Sequence, residues 1–308
     1  DLFHKELDQR DDAGFSSRSS GGTVRLGFPL SEDTWMQVGY TLKRDEIFDV
    51  DSRSSLAVKQ ACGDKNLGDP ANFDNDRNNN AEADCTDEAY WTSAIGTSLT
   101  YDKRNHPRNP TSGYYVQLST DFAGLGGDVN YVRVQGEGRA YYPITDKITL
   151  VGRAVAGTIQ GWGGDDVRLL DLYFRGGETV RGFDRAGYGP RDSLTGDAIG
   201  GQNYWAATAE VRFPLPFIPE DLGISGAAFV DAGSLWGTPG DINALYADAS
   251  AVNPDAQLFD DSSVRSAVGV SLLWNSPVGP LRVDYSEAIT KEDYDRTQNL
   301  RFGASTRF

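Results

Sequence analysis

Histidine, methionine and cysteine are nearly absent from this chain, with two, one and two copies in 308 residues. The shortage of histidine removes the usual partner of a serine or cysteine nucleophile. His4 lies in a weakly patterned first segment, and His106 lies in the turn 103–112 (KRNHPRNPTS), where flanking prolines mark it as a turn residue rather than a base. Paired carboxylates could act as acid and base, but nothing fixes a substrate between them. The expectation is a protein that is not an enzyme and carries no cofactor.

No apolar run reaches the roughly 18 residues of a spanning helix. That excludes membrane helices only, because transmembrane β-strands alternate and never score as hydrophobic blocks. A basic excess is missing too: 29 Lys and Arg against 45 Asp and Glu give a net charge of −16. A phosphate backbone calls for a basic face, so no nucleic-acid partner is expected. No signal peptide is visible and the single methionine, Met36, sits inside a strand-like run, so Asp1 reads as a processed start.

Cys62 and Cys85 sit in a segment dense in Asn and Asp. In an oxidising compartment they are a natural disulfide, worth about 3 kcal/mol by loop entropy; two independent thiols are the alternative. The run Asp74–Asn78 between them opens like a calcium loop. Asn79 then stands where glycine is needed and Cys85 where the bidentate glutamate should fall, so it reads as a hydrated surface loop, with weak adventitious calcium binding as the alternative.

What the chain has is glycine, 35 copies, and period-two alternation. Val24, Leu26 and Phe28 oppose Thr23, Arg25 and Gly27. Arg133, Gln135, Glu137 and Arg139 oppose Val132, Val134, Ala140 and Tyr142. Similar runs fall at 35–42, 95–101, 114–122, 147–159, 202–213, 223–234, 264–275, 280–289 and 297–308. With a poor candidate at 2–9 the count is about twelve strands, most near the 9–11 residues of a tilted membrane strand. Helical spacing is not found in these segments.

Charges occur in mid-strand on the polar face: Arg153, Glu210, Arg212, Asp231, Arg282 and Asp284. A wet or protein-filled lumen accommodates them. A soluble sheet with one solvated face is the alternative. Against it, the apolar face carries small residues such as Ala207, Ala209, Gly226 and Ala228, which lipid tolerates and a packed core would not. Aromatics cluster near run ends (Tyr141, Tyr142, Trp162, Trp205, Phe213, Phe217, Trp236 and Trp274), as in an interfacial girdle. Short, proline-marked connections at 143–147, 214–222 and 275–279 alternate with long acidic ones at 49–89, 160–201 and 237–263. Periplasmic turns and extracellular loops differ in this way. The expected fold is all-β: an antiparallel transmembrane β-barrel in the bacterial outer membrane.

The segment 174–183 reads FRGGETVRGF. Its glycines permit positive φ and close chain approach, and Arg181 carries a planar fork suited to carboxylates. Glu210 and Asp231 lie on the polar faces of the two strands that follow. If the loop folds back into the lumen, Arg181 reaches both. The alternative is an exposed arginine, with the lumen acids paired to Arg212 or Arg139.

The succession GGETVRGF, GGQNYWAATAEVRF, AAFVDAGSLW, SPVGPLRVDYS and a final Phe308 resembles the C-terminal barrel of the BamA family. Members are central subunits of the bacterial outer-membrane β-barrel assembly machinery. The likeness runs from about residue 20 to the end and is most specific over 170–308. It implies that the loop Val180, Arg181, Gly182, Phe183 enters the barrel and that Arg181 contacts Glu210 and Asp231. It further implies a sixteen-stranded barrel preceded by POTRA domains, so that residues 1–308 are the barrel domain, with the POTRA domains and first four strands absent. The last strand, LRFGASTRF, resembles an outer-membrane recognition signal, with Gly303 and Phe308 in place and Thr306 in a position that favours an apolar residue. The cysteines depart from a family member that carries them in the arginine loop.

The implied function is folding and insertion of other outer-membrane proteins through an openable seam that pairs with the incoming chain. The implied partners are unfolded outer-membrane clients, outer-membrane lipids and accessory lipoproteins bound mainly through the POTRA region. A related secretion transporter or TamA-like factor, and a passive porin, are the alternatives.

Overall fold

The computed structural model describes the whole chain except residues 52, 66, 68–84, 86–88, 108, 220–221, 277–278 and 305–308. Its first seven strands are β1 (Leu2–Asp8), β2 (Ser16–Pro29), β3 (Thr34–Phe48), β4 (Ala89–Asp102), β5 (Gly113–Gly127), β6 (Tyr131–Pro143) and β7 (Thr149–Gly161). Two-residue strands β8 (Gly182–Phe183) and β9 (Arg191–Asp192) follow in the arginine loop. Then come β10 (Asn203–Pro214), β11 (Ile224–Trp236), the short β12 (Leu258–Phe259), β13 (Arg265–Ser276), β14 (Gly279–Thr290), the short β15 (Thr297–Gln298) and β16 (Leu300–Ala304).

Twelve of these form one antiparallel meander, in the order β1-β2-β3-β4-β5-β6-β7-β10-β11-β13-β14-β16. Each of the twelve segments expected from alternation contains one of these strands. Several run longer than the hydrophobic pattern: β2 begins in the polar run Ser16–Gly22, which pairs with β1 on one side and β3 on the other. In the last segment Leu300–Ala304 joins β14, while Thr297–Gln298 turns inward to pair with β8; residues 305–308 lie outside the described residues. Among the described residues β1 and β16 do not pair with each other, so the sheet is not closed. It curls nonetheless, because Arg296 Nη1 in the last loop donates to the Asp11 carbonyl between the first two strands at 2.7 Å.

Burial runs opposite to that of a water-soluble sheet. Val24, Leu26 and Phe302 stand 70, 70 and 73% exposed, whereas Glu210, Asp231 and Asp284 are 3, 1 and 4% exposed. Charged groups go inside and aliphatic ones outside when the outer solvent is hydrocarbon. Tyr141 departs from the girdle expected of it: it is buried on the same inner face as Arg139, because odd positions of β6 point inward. Connection lengths alternate only in part: the long loops 49–88, 162–202 and 237–264 share one end of the sheet with the short connections 9–15, 128–130 and 291–299, and 103–112 at the other end is longer than any of these three.

The long loops build a cap that alternation did not reveal. It contains helices α1 (Arg10–Ala13), α2 (Leu56–Ala61) and α3 (Gly240–Val252). In α3 the residues at i, i+4 and i+7, Ile242, Tyr246 and Ala249, are its buried ones, and Asp166 accepts from the Gly240 and Asp241 amides at its start. In α2 the Ser55 hydroxyl accepts from the Val58 amide, and Leu56 and Val58 belong to the same buried apolar cluster as Ile47, Leu169, Ile199 and Ile242. The helix ends at Cys62, which is disulfide-bonded to Cys85 with Cα atoms 5.2 Å apart. That bond ties α2 to the chain entering β4. The calcium-like run 74–79 lies outside the described residues.

Asp197 links the arginine loop to α2 by accepting the Ser55 amide at 2.9 Å. Burial raises its carboxyl to about 6, and Ser55, Thr195 and Arg296 only partly offset that rise, to which Asp192 adds. Between about pH 4 and 6 the folded state therefore holds a proton that the unfolded chain has released, so stability falls as pH rises through that window. A shift of about two units costs about 3 kcal/mol at neutral pH. Asp197→Asn should raise the melting temperature at pH 7.5 and leave it nearly unchanged at pH 4; an equal change at both would refute the assignment.

Candidate functional site

The loop between β7 and β10 enters the concave side of the sheet and turns tightly at Gly176–Phe183. Amides of Thr179 and Val180 both donate to the Gly176 carbonyl, at 2.9 and 3.0 Å. A side chain at 176 would place its Cβ 2.0 Å from the Asp184 carbonyl, so the two limbs of the turn meet only through glycine. Gly182 has φ +95°, a conformation that L-residues resist. Val180 and Phe183 are buried to either side, Phe183 edge-on to Tyr188 at 5.4 Å. The apolar anchors fix the loop, and the glycines let Arg181 point at the wall.

Arg181 is hydrogen-bonded to acids from two strands, with Asp284 of β14 a further 4.0 Å from Nη1. Its Nε and Nη2 donate to the two carboxylate oxygens of Asp231 at 2.6 and 2.7 Å, and its backbone amide adds a third bond to Oδ2 at 3.0 Å. Nη1 donates to Glu210 Oε2 at 2.8 Å. The guanidinium also lies over the Phe229 ring, 3.3 Å from its centre. Sheet register explains the convergence: Glu210 faces Phe229 across the β10–β11 ladder, and Asp231 is two residues on, on the same inner face. Bidentate, charge-assisted contacts of this kind are the strong class of hydrogen bond.

Both pairings left open by the sequence occur at Glu210, which accepts from Arg181 and from Arg212 Nε at 2.9 Å. Arg139 lies elsewhere and donates to Glu137. Arg282 was legible as a lumen charge but not as a partner here; it donates to Glu210 and to Asp284 at 2.7 and 2.6 Å. Gly303 lies in β16 opposite Arg282, and among the described residues no heavy atom comes closer than 3.9 Å to a Cβ built on it. Phe308 and Thr306 lie outside the described residues. His4 bonds Ser20 at 2.7 Å on the exposed β1–β2 pair, and His106 accepts the Asn109 amide in its turn.

Sequence spacing gave no sign of the clasp between this loop and the end of the chain. Gly182–Phe183 pair with Thr297–Gln298 as a two-residue antiparallel ladder. It continues through Asp184 N to Arg296 O at 3.0 Å and Arg296 N to Gly187 O at 2.8 Å. The segment leading into the last strand is thereby stitched to the arginine loop.

Comparison with known proteins places this architecture. The Omp85 superfamily domain matches residues 1–308. The chain is 30% identical over 308 residues to "Outer membrane protein assembly factor BamA" of Neorickettsia risticii, covering 100% of this chain and 36% of that protein. It is 26% identical over 274 residues to the protein of the same description from Nitratidesulfovibrio vulgaris, covering 88 and 29%. The crystal structure of BamA from Haemophilus ducreyi lacking POTRA domains 1–3 superposes with a TM-score of 0.78 at 23% identity, over 98% of this chain and 57% of that one, a likeness of fold. The chain spans about a third of the length of these curated relatives.

Proposed function

The chain belongs to the Omp85 superfamily of outer-membrane β-barrel proteins, and on that premise we propose that residues 1–308 act as the barrel domain of a factor that folds and inserts other β-barrels into the bacterial outer membrane. The proposed clients are unfolded outer-membrane proteins; lipids and accessory lipoproteins are the proposed further partners. The reading is supported by full-length similarity to assembly factors. The observation that carries it is the way the arginine loop holds both the fixed wall and the last strand. Arg181 is clamped to β10 and β11, while the neighbouring Gly182 and Phe183 pair with the lead-in to β16.

An edge strand presents unpaired amides and carbonyls, which in lipid each cost several kcal/mol. An incoming strand that pairs with such an edge removes that cost. No covalent step is required. β16 suits the role of a movable edge, since it ends the strand order among the described residues and its lead-in is held by the arginine loop rather than by the sheet. The rest of the wall must hold while that edge moves, and the Arg181 clamp is placed to hold it.

The test is reconstitution of the full-length protein in lipid vesicles with a urea-denatured client barrel. Folding of the client should be faster than in empty vesicles. Equal rates would sink the proposal. A steady, large conductance of the same vesicles would favour the passive porin, against which the loop-filled inner face already argues.

A further inference from the structure

Two adjoining cavities of about 450 and 330 Å³ lie on the inner wall beneath the arginine loop, sharing Arg153, Glu178 and Thr179. Seven guanidiniums and four carboxylates line them. Arg181 is matched by Asp231, which lies outside the lining, so six guanidiniums remain against four acids. The whole chain carries a net charge of −16, so composition does not produce this local reversal.

The sharing of acids is uneven. Arg139 and Arg153 are direct cross-strand partners of β6 and β7, an arrangement of like charges that sheets ordinarily avoid. Both donate Nε to one oxygen of Glu137, at 2.7 and 2.9 Å. Arg212 likewise uses Nε on Glu210, and the Nη groups of Arg153 and Arg212 have no further partner among the described residues. Arg175 has no carboxylate partner among them at all. It stacks 4.0 Å from the centre of the Tyr204 ring, and its Nε is buried without a hydrogen-bond acceptor.

We propose that these cavities bind a small multivalent anion of the phosphate or carboxylate class. Guanidinium forks match such groups bidentately, and a buried donor without an acceptor is the kind of vacancy an anion relieves. The site opens toward the short-turn end, since Tyr141, Arg212 and Gly303 in its lining lie within two residues of their strand ends. Its lining also includes Arg301 of β16, whose nearest carboxylate, Glu178, is 3.9 Å away. A bound anion would therefore bridge the β6–β10 wall to the last strand. The site stands apart from the assembly reading: binding is expected whether or not the protein inserts clients.

The probe is inorganic phosphate, titrated against chloride at fixed ionic strength with the full-length protein in a non-ionic detergent. Melting temperature should rise saturably, and the phosphorus resonance should broaden in step. Arg175→Gln, which breaks no ion pair, and Arg153→Gln should each raise the phosphate concentration for half-effect about tenfold. Arg185→Gln, in the cap, should leave it unchanged. In vesicles containing phosphatidic acid, a headgroup source would give the stabilisation without added phosphate, whereas phosphatidylcholine vesicles would still need it. A rise that never saturates, or equal responses in Arg175→Gln and the parent protein, would overturn the proposal.

Discussion

Arg181→Ala should destabilise the folded barrel by about 3–5 kcal/mol, the scale seen when one partner of a buried ion pair is removed. The cost arises mainly at Asp231. That carboxylate is 1% exposed, and Arg181 supplies both of its side-chain donors and a backbone amide. Glu210 behaves differently, because Arg212 and Arg282 remain to hold it. Asp231→Ala should therefore cost about as much as Arg181→Ala, and Glu210→Gln clearly less. Arg181→Lys should fall between, since an ammonium keeps the charge but not the fork. Heat modifiability of the barrel on gels gives the order. Levels of folded porins in cells depending on each variant give the consequence for assembly. Equal stability and equal porin levels in parent, Arg181→Ala and Asp231→Ala would show that the clamp matters to neither.

The order Asp231 before Glu210 could not be read from the sequence, though the clamp itself was foreshadowed there. Alternation fixes which residues face inward, so Glu210, Asp231, Arg212 and Arg282 were all legible as lumen charges. Period two does not say which charges on different strands lie level with one another, since that depends on ladder register. Register sets Glu210 opposite Phe229 and brings Arg282 to the same carboxylate. The cap was missed for another reason. Its helices are short, and only α3 carries a helical repeat, in Ile242, Tyr246 and Ala249, which acidic loop composition masks. Tyr141 shows the converse: its place near a strand end points to the interface, whereas its parity with Arg139 puts it inside, where it is buried. The inward turn of 297–298 had no signal at all, because a two-residue ladder leaves no periodicity.

That inward turn leads to the second large effect, at a latch formed by Arg265 and Asp295. Both side chains are fully buried, with Nε 3.0 Å from Oδ2. Arg265 also donates to Asp261 at 2.9 Å and to the Tyr294 hydroxyl at 2.9 Å, and Tyr294 stacks on Phe259 with ring centres 4.7 Å apart. These contacts pin the loop 291–299 to the start of β13, and that loop carries the residues that pair with Gly182–Phe183. Burial pushes the Asp295 carboxyl upward, and Arg265 and the Glu292 amide only partly offset it; rupture of such a buried pair is costly because it leaves the other charge uncompensated. Asp295→Ala leaves the buried Arg265 Nε without its carboxylate, while Asp261, Ser263 and Tyr294 still accept from its Nη groups. Amide hydrogen exchange over 297–304 should accelerate about a hundredfold, as a local opening made easier by about 3 kcal/mol requires, with β2–β5 unchanged. Replacing both partners, Arg265→Met with Asp295→Leu, should recover most of the protection, because no buried charge is then left alone; Asp261 keeps its bonds to Tyr294 and Ser263. If exchange over 297–304 stayed at the parent rate in Asp295→Ala, the last strand would be held by its pairing with β14 alone. Acceleration spread evenly over all twelve strands would mean instead that the latch supports the whole sheet rather than its movable edge.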